Sequence, residues 1–467
     1  MTPANRCRLV LAVLPILALV SACERDVAGL DLARARIDPI VFEDQGTGTP
    51  PLIGSIPDIY WQPFFETYYD ALSLTDEYAL DGFAPDGARS LKITVPAQGS
   101  ALGPYAGGVL TSISSRDLTD FNALTFWARS DIPMTLNTVG FGNDNTGTSR
   151  FEAGRANLPL TPDWTFHVIP IPNASRLIAE RGLFTIAEGA ETPEGTSFYL
   201  DEIKYAKLDD FEVFRPTLPA ANRGYFVGST VLIEGTNTIF QRAGAFVIVT
   251  HSPSYFDYAT SDESVLKVSS NGAVRVVGEG TAQVTAKLDG KDAFGAVSVA
   301  AYLPPTQAAP VPTVPASDVI SLFSDTYADV PVDTWATSWS RAQYEETQIA
   351  GNNAKLYSAL QFVGIEFVSS PVDASAMQFL HIDVFAPAGS QFGIEVVSFP
   401  GATGVLSQKI VFDASSTPSF VPGEWSPLEI PLDDFTLPEG FDWSQIGQFV
   451  LSGTAQLVLV DNLYWHK

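Results

Sequence analysis

The sequence predicts an all-β protein built from successive β-sandwich blocks. Three observations carry this. Short runs alternate apolar and polar residues, as in Leu91-Lys92-Ile93-Thr94-Val95, which is the period of a half-buried strand. Gly (36) and Pro (33) are plentiful, aromatic residues make up 11% of the chain, and long helix-period patterns are scarce, a composition suited to many strands and turns. The chain has 467 residues, room for about three domains.

The chain opens on a basic-then-apolar leader, Arg6 and Arg8 followed by Leu9 to Val20. That run falls short of the roughly 20 residues of a permanent membrane span and has the layout of an export signal. It closes on Leu19-Val20-Ser21-Ala22-Cys23. The stretch resembles the lipobox of bacterial lipoproteins, which implies a signal peptide at 1–22 and a lipidated Cys23 as the first mature residue. Glu24 after the Cys then points to the outer membrane. The alternative is an ordinary secretory signal with an incidental Cys. In either case the chain works outside the cytoplasm. Its only other cysteine is Cys7, so the mature domains must be held by their cores without a disulfide.

Residues 23–54 read as a tether, with Thr47-Gly48-Thr49-Pro50-Pro51 as spacer. A first block, 55–210, enters through the aromatic run Tyr60-Trp61-Gln62-Pro63-Phe64-Phe65. Leu124 to Ala128 and His167 to Ile171 read as further strands, with Gly142-Asn143-Asp144-Asn145 as a loop. A jelly-roll sandwich is the expectation.

Residues 218–302 change character. A strand leads to Asn271-Gly272, a second strand to Gly278-Glu279-Gly280, and a third follows. Asn-Gly supplies the positive φ angles of a tight hairpin. The stretch Thr260 to Ala286 resembles the group-two bacterial immunoglobulin-like domains, which implies a spacer. A phosphate cradle at Gly278-Glu279-Gly280 is disfavoured, because a strand follows it. The Pro-rich stretch 303–315 is expected to be extended and semi-rigid.

The last block, 316–467, repeats landmarks of the first. Trp164 precedes Ile169-Pro170 as Trp425 precedes Ile430-Pro431, and Asp201 and Asp461 lie 31 and 30 positions further on. Shared order argues for two copies of one fold. The order resembles carbohydrate-binding jelly-roll modules of bacterial glycan-degrading enzymes. In the last block, Gln348-Ile349-Ala350-Gly351-Asn352-Asn353 and Asp461-Asn462-Leu463-Tyr464-Trp465 look like the C-terminal modules of marine laminarinases and neighbouring glycan-binding lipoproteins. The fold class expected is therefore two jelly rolls flanking an immunoglobulin-like sandwich.

Motifs for chemistry are missing. Asp209-Asp210 and Asp433-Asp434 are acidic pairs, but neighbours on a strand face opposite ways, and glycoside cleavage needs two carboxylates around one bond. The histidines, His167, His251, His381 and His466, form no zinc pattern. Acidic residues outnumber basic ones 53 to 26, for a net charge of −27, which disfavours nucleic acid and anionic partners. Sugar binding needs flat aromatic rings and directional polar groups. Trp335, Trp339 and Tyr344 in the polar stretch Val330 to Glu346 are the leading candidates, with Gln348, Asn352 and Lys355 as polar partners and Tyr105 and Trp61 as weaker ones in the first block. The resemblance implies a structural calcium, with Asp325 and Asp461 as oxygen ligands and Asp201 as the counterpart in the first block.

The reading from sequence is a non-catalytic, lipid-anchored binder of a neutral polysaccharide, β-1,3-glucan (laminarin) first, partnered by a glycan transporter or surface glycoside hydrolase of the outer membrane. A divergent glycoside hydrolase and a structural or adhesion protein are the alternatives.

Overall fold

The structure, a computed structural model, describes residues 35–43, 58–75, 89–401 and 404–467. The leader, Cys23 and most of the tether lie outside the described residues. Within them the regular structure is β-strand with short 3-10 turns, and no helix is long and apolar enough to cross a membrane.

The first module comprises β1 (Ile40–Phe42), β2 (Ile59–Pro63), β3 (Leu72–Thr75), β4 (Ser90–Val95), β5 (Tyr105–Arg116), β6 (Ala123–Ser130), β7 (Met134–Phe141), β8 (Ala153–Leu160), β9 (Thr165–Pro170), β10 (Glu180–Gly189) and β11 (Thr196–Ala206). One sheet has the order β3-β4-β11-β6-β9 with β1 on β11; the other contains β2-β5-β10-β7-β8. Alternation decides which side chains go inside. Leu91 and Ile93 are fully buried, as are Phe126 and Phe198 of the same sheet and Leu110, Phe184 and Ile186 of the facing one. Each such burial is worth roughly 1.5–3 kcal/mol. Phe126 meets Phe184 edge-on across the two sheets, ring centroids 5.4 Å apart.

The middle region runs through β12 (Phe211–Thr217), β13 (Ala221–Phe226), β14 (Thr230–Leu232), β15 (Asn237–Arg242), β16 (Ala245–His251), β17 (Asp257–Thr260), β18 (Leu266–Val268), β19 (Ala273–Val276), β20 (Gly280–Leu288), β21 (Lys291–Asp292) and β22 (Val297–Tyr302). Sheet β13-β22-β20-β17 faces the smaller sheet β14-β19-β18. Along β20, Ala282, Val284, Ala286 and Leu288 are buried and the residues between them exposed. Gly272 takes φ +80° in the turn between β18 and β19, the left-handed conformation that glycine adopts freely.

The expected break between the first two blocks is crossed by the sheet itself. β12, β15 and β16 do not close on the middle region's own sheets. They continue the first module's sheet, β16 pairing with β8. One straight row of register partners runs Gln62, Val109, Thr185, Gly140, Gly154, Thr250, Asn237, Thr217 across all eight strands. The two regions also share one hydrophobic core.

The last module comprises β23 (Val319–Phe323), β24 (Arg341–Ile349), β25 (Asn352–Glu366), β26 (Phe379–Phe385), β27 (Phe392–Ser398), β28 (Leu406–Phe412), β29 (Trp425–Pro431), β30 (Ile446–Gly453) and β31 (Leu457–His466). The order is β28-β27-β30-β25-β31-β26-β29, with β23 on β31 and β24 on β25. The long β25 serves both layers: Lys355 to Ser358 pair with β31, and Phe362 to Glu366 pair with β30. Ala359, at φ +50°, lies between the two segments. The order β25-β30-β27-β28 repeats β5-β10-β7-β8, and β31-β26-β29 repeats β11-β6-β9. Asp201-Glu202 and Asp461-Asn462 match in detail: Glu202 has φ +47° and Asn462 φ +48°. Both modules are thus the same β-sandwich.

The Pro-rich stretch lies along the last module. Trp425 Nε1 donates to Gln307 O (2.9 Å), Asn462 Nδ2 to Pro310 O (3.0 Å) and the Tyr327 hydroxyl to Val314 O (2.8 Å). Phe226 of the middle region joins Leu356, Phe385 and Leu459 in a small apolar cluster.

Candidate functional site

The outer face of β25-β30-β27-β28 follows from register. Residues that pair across antiparallel strands share a face. Val363, Ile365, Phe449, Leu451, Ile394 and Val396 point inward and are fully buried. Three rows therefore point outward: Phe362, Ser452, Gly393, Val411; Gly364, Val450, Glu395, Lys409; and Glu366, Gln448, Val397, Ser407.

Trp339 lies on this face. Its ring stacks on Phe362, centroids 6.1 Å apart and planes 26° apart, and it remains 45% exposed. A Cβ built on Gly364 would stand 2.3 Å from the Trp339 ring, so only glycine lets the ring settle there. The segment that carries Trp339 is tied to the same strand. Thr337 N donates to Gly364 O and Gly364 N to Ser340 Oγ, both at 3.1 Å. The ring is a fixed, open platform. Beside it are polar groups that can make directional hydrogen bonds. Gln448 Nε2 donates to Glu366 Oε1 (3.3 Å), Ser407 Oγ to Glu395 Oε1 (2.5 Å), and Lys409 lies across Gly393.

Trp335 and Tyr344 are elsewhere. With Phe323 they surround the ammonium of Lys355, at 4.5 Å for Trp335, 5.9 Å for Tyr344 and 4.3 Å for Phe323. Glu346 closes the group: Lys355 Nζ stands 2.6 Å from its Oε1, which also accepts the Tyr344 hydroxyl at 3.0 Å. Lys355 is 5% exposed. Burial, then the bond to Glu346, raises the Tyr344 pKa. The rings spend their faces on an internal cation, and this group pins β24 to β25.

Gln348 and Asn352 lie at a third place, an acidic corner. Gln348 Nε2 donates to Asn353 Oδ1 (3.0 Å), and Asn352 Nδ2 to Asp461 Oδ2 (2.6 Å). Asp325 accepts from both the backbone and side chain of Asn353, at 2.8 and 2.7 Å. Asn462 donates its backbone N–H to Asp461 and its amide to Asp383. Burial, with Asp383 and Asp325 nearby, pushes Asp461 up to about 7 against the pull of the Asn462 N–H. The second oxygen of Asp383 is buried without a hydrogen-bond partner. An oxygen-rich corner suits a hard cation such as calcium, while His381 Nε2 already stands 3.4 Å from Asp383 Oδ2. In the present arrangement amide donors hold the oxygens of Asp325 and Asp461, and no three Asp, Glu, His or Cys side chains of the described residues converge in a metal-site geometry.

In the first module Tyr105 lies over Gly107, whose built Cβ would be 2.8 Å from its ring, and its hydroxyl donates to Phe65 O at 2.6 Å. Trp61 packs inward against the core and Gly108, and its Nε1 is buried without a partner. Asp201, 2% exposed, accepts the N–H of Glu202 at 2.8 Å, the role Asp461 plays toward Asn462.

Sequence reasoning missed Phe362, Gly364, Glu395, Lys409 and Gln448. The signal was the alternation Val363, Ile365 against Phe362, Gly364, Glu366, which marks the outward side of β25.

No family model and no curated protein matches the sequence. Solved structures similar to it include the family 30 carbohydrate-binding module of a cellulosomal cellulase of Clostridium thermocellum, at 16% identity, covering 32% of this chain and 97% of that one, TM-score 0.27. A family 11 module from Clostridium thermocellum, in complex with a β-1,3-1,4-mixed-linked tetrasaccharide, is 14% identical over 32% of this chain and 95% of that one, TM-score 0.24. The tandem family 22 modules of Paenibacillus barcinonensis Xyn10C are 12% identical over 93% of this chain and 99% of that one, TM-score 0.22.

Proposed function

We propose that the protein is a non-catalytic glycan-binding protein whose last module takes a neutral polysaccharide on the face floored by β25, β30, β27 and β28. One observation carries this reading: the Trp339 ring lies fixed and 45% exposed over Gly364, on a sheet face set with Glu366, Gln448, Glu395 and Lys409. The apolar C–H face of a pyranose stacks on such a ring while its hydroxyls meet the polar groups. A net charge of −27 favours a neutral chain over a sulfated one, and β-1,3-glucan is the first choice. The leader and Cys23 support anchoring at the outer membrane, beside a glycan transporter or a surface glycoside hydrolase. The acidic corner of Asp325, Asp383 and Asp461 is where a structural calcium would sit.

The test is calorimetric titration of a soluble form beginning at Glu24 with laminarin, mixed-linkage glucan, mannan and alginate. Saturable heat with laminarin, weakened at least tenfold in Trp339→Ala, supports the reading; no heat with any glycan overturns it. Glu366 and Glu395 point from the same face, so reducing-sugar release is measured alongside. Release that stops in Glu395→Gln would make the protein a hydrolase instead.

A further inference from the structure

The sheet that joins the first two regions carries a second surface. Next to the register row described above, a parallel row holds Gly107, Ala187, Thr138 and Ala156 on β5, β10, β7 and β8. Thr138 and Ala156 are exposed and Ala187 is half-buried, while Gly107 is buried, so the floor opens toward β7 and β8, and its side chains are small. Tyr105 lies over its Gly107 end.

Beyond β8 the same face passes onto the β15–β16 hairpin. Thr250 pairs with Gly154, so Thr250, Ile248 and Phe246, two residues apart, share the floor's side. Ile248 and Phe246 are each 58% exposed. Phe214, from β12, is 43% exposed and meets Phe246 with ring centroids 4.9 Å apart. The outer strip from β5 to β16 spans about 19 Å at inter-strand spacings of about 4.8 Å. An aromatic ring thus stands at each end of a floor of small residues, with no charged side chain among Gly107, Ala187, Thr138, Ala156 and Ile248.

We infer that the β15–β16 hairpin completes a second glycan-binding strip on the first module, with Phe246, Ile248 and Phe214 stacking one end of a neutral polysaccharide chain and Tyr105 the other. The middle region then supplies ligand contacts as well as spacing. This rests on the glycan-binding reading above and extends it to residues outside both jelly rolls. Two strips on one chain would add avidity through effective concentration if one polysaccharide reaches both.

The chain supplies its own test. Its only cysteines are Cys7 and Cys23, so the soluble form beginning at Glu24 has none. Ile248→Cys places one thiol on the strip, and Thr285→Cys places one on exposed β20 as control. Maleimide labelling is followed with and without saturating laminarin. The inference predicts at least fivefold slower labelling at position 248 and an unchanged rate at 285. A parallel titration of Phe214→Thr/Phe246→Thr on the Trp339→Ala background predicts loss of the residual laminarin binding. Laminarin binding by the parent form with an unchanged rate at 248 would overturn the strip alone. No binding of any of the four glycans by the parent form would overturn the glycan reading beneath it.

Discussion

Trp339 and Phe362 lie face to face, 6.1 Å apart and 26° from parallel, although they stand 23 positions apart in sequence. Phe362 supplies the ring's support, and Gly364 two residues on supplies the space for it.

Gly364→Ala therefore perturbs binding without touching the ligand. Its new Cβ would stand 2.3 Å from the Trp339 ring, closer than packed atoms come, and the ring must lift. We expect laminarin affinity to fall by roughly tenfold, about 1.4 kcal/mol, and a change in tryptophan emission. Unchanged affinity would show that the ring's seat is irrelevant to binding.

Lys355→Met keeps the length of the side chain and removes its charge from among Phe323, Trp335 and Tyr344. A desolvated cation–π contact is worth about 2 kcal/mol, while the 71% exposed Glu346 side chain adds little. The expected result is a Tm lower by a few degrees with laminarin affinity within twofold. A large loss of affinity with an unchanged Tm would instead make this cluster part of the binding surface.

The pair of buried His381 and half-buried Glu429 links stability to pH. Burial alone would lower the His381 pKa, but hydrogen bonds and charge from Asp383 and Glu429 outweigh it and bring it to about 9. Burial raises Glu429, and His381 and His466 outweigh that to lower it. The histidine's folded value exceeds its ordinary 6.5, so its stabilisation is complete below pH 6.5 and is lost as pH rises through 9. The carboxylate's contribution is lost as pH falls below its ordinary 4.5. Since the Glu429 side chain is 43% exposed, the pair is worth on the order of 2 kcal/mol at most. Thermal melts of the parent form and Glu429→Gln should converge between pH 6.5 and 9.5. A constant gap would contradict the linkage.

At the acidic corner, Asp461→Asn removes one of three crowded carboxylates. Without divalent cation at neutral pH this should raise Tm by a few degrees. Calcium should raise the Tm of the parent form and leave the variant unmoved. Equal calcium responses would place any bound ion elsewhere.

Much of the fold was legible because alternation is local. Leu91-Lys92-Ile93-Thr94-Val95 lies within β4, and Asn271-Gly272 turns the chain between β18 and β19. The repeat was legible because Asp201 and Asp461 occupy matching irregularities of two matching strands. The site was legible only in part. Trp335 and Trp339 sit four apart in one polar loop, and nothing local separates them. Lys355 draws Trp335 into an internal cluster and Gly364 receives Trp339 on an open face, and both partners come from β25. The pairing of β16 with β8 was hidden for the same reason. Residues 245–251 form an apolar run like that of many short strands, and their partner lies about 100 positions away, a non-local choice that no window of sequence contains.

The most direct test is laminarin titration of the form beginning at Glu24 beside its Trp339→Ala variant, with both shown to melt at the same temperature. The account predicts saturable binding that weakens at least tenfold in the variant. Equal affinities in two folded proteins would contradict it and remove the last module's outer face as the principal site.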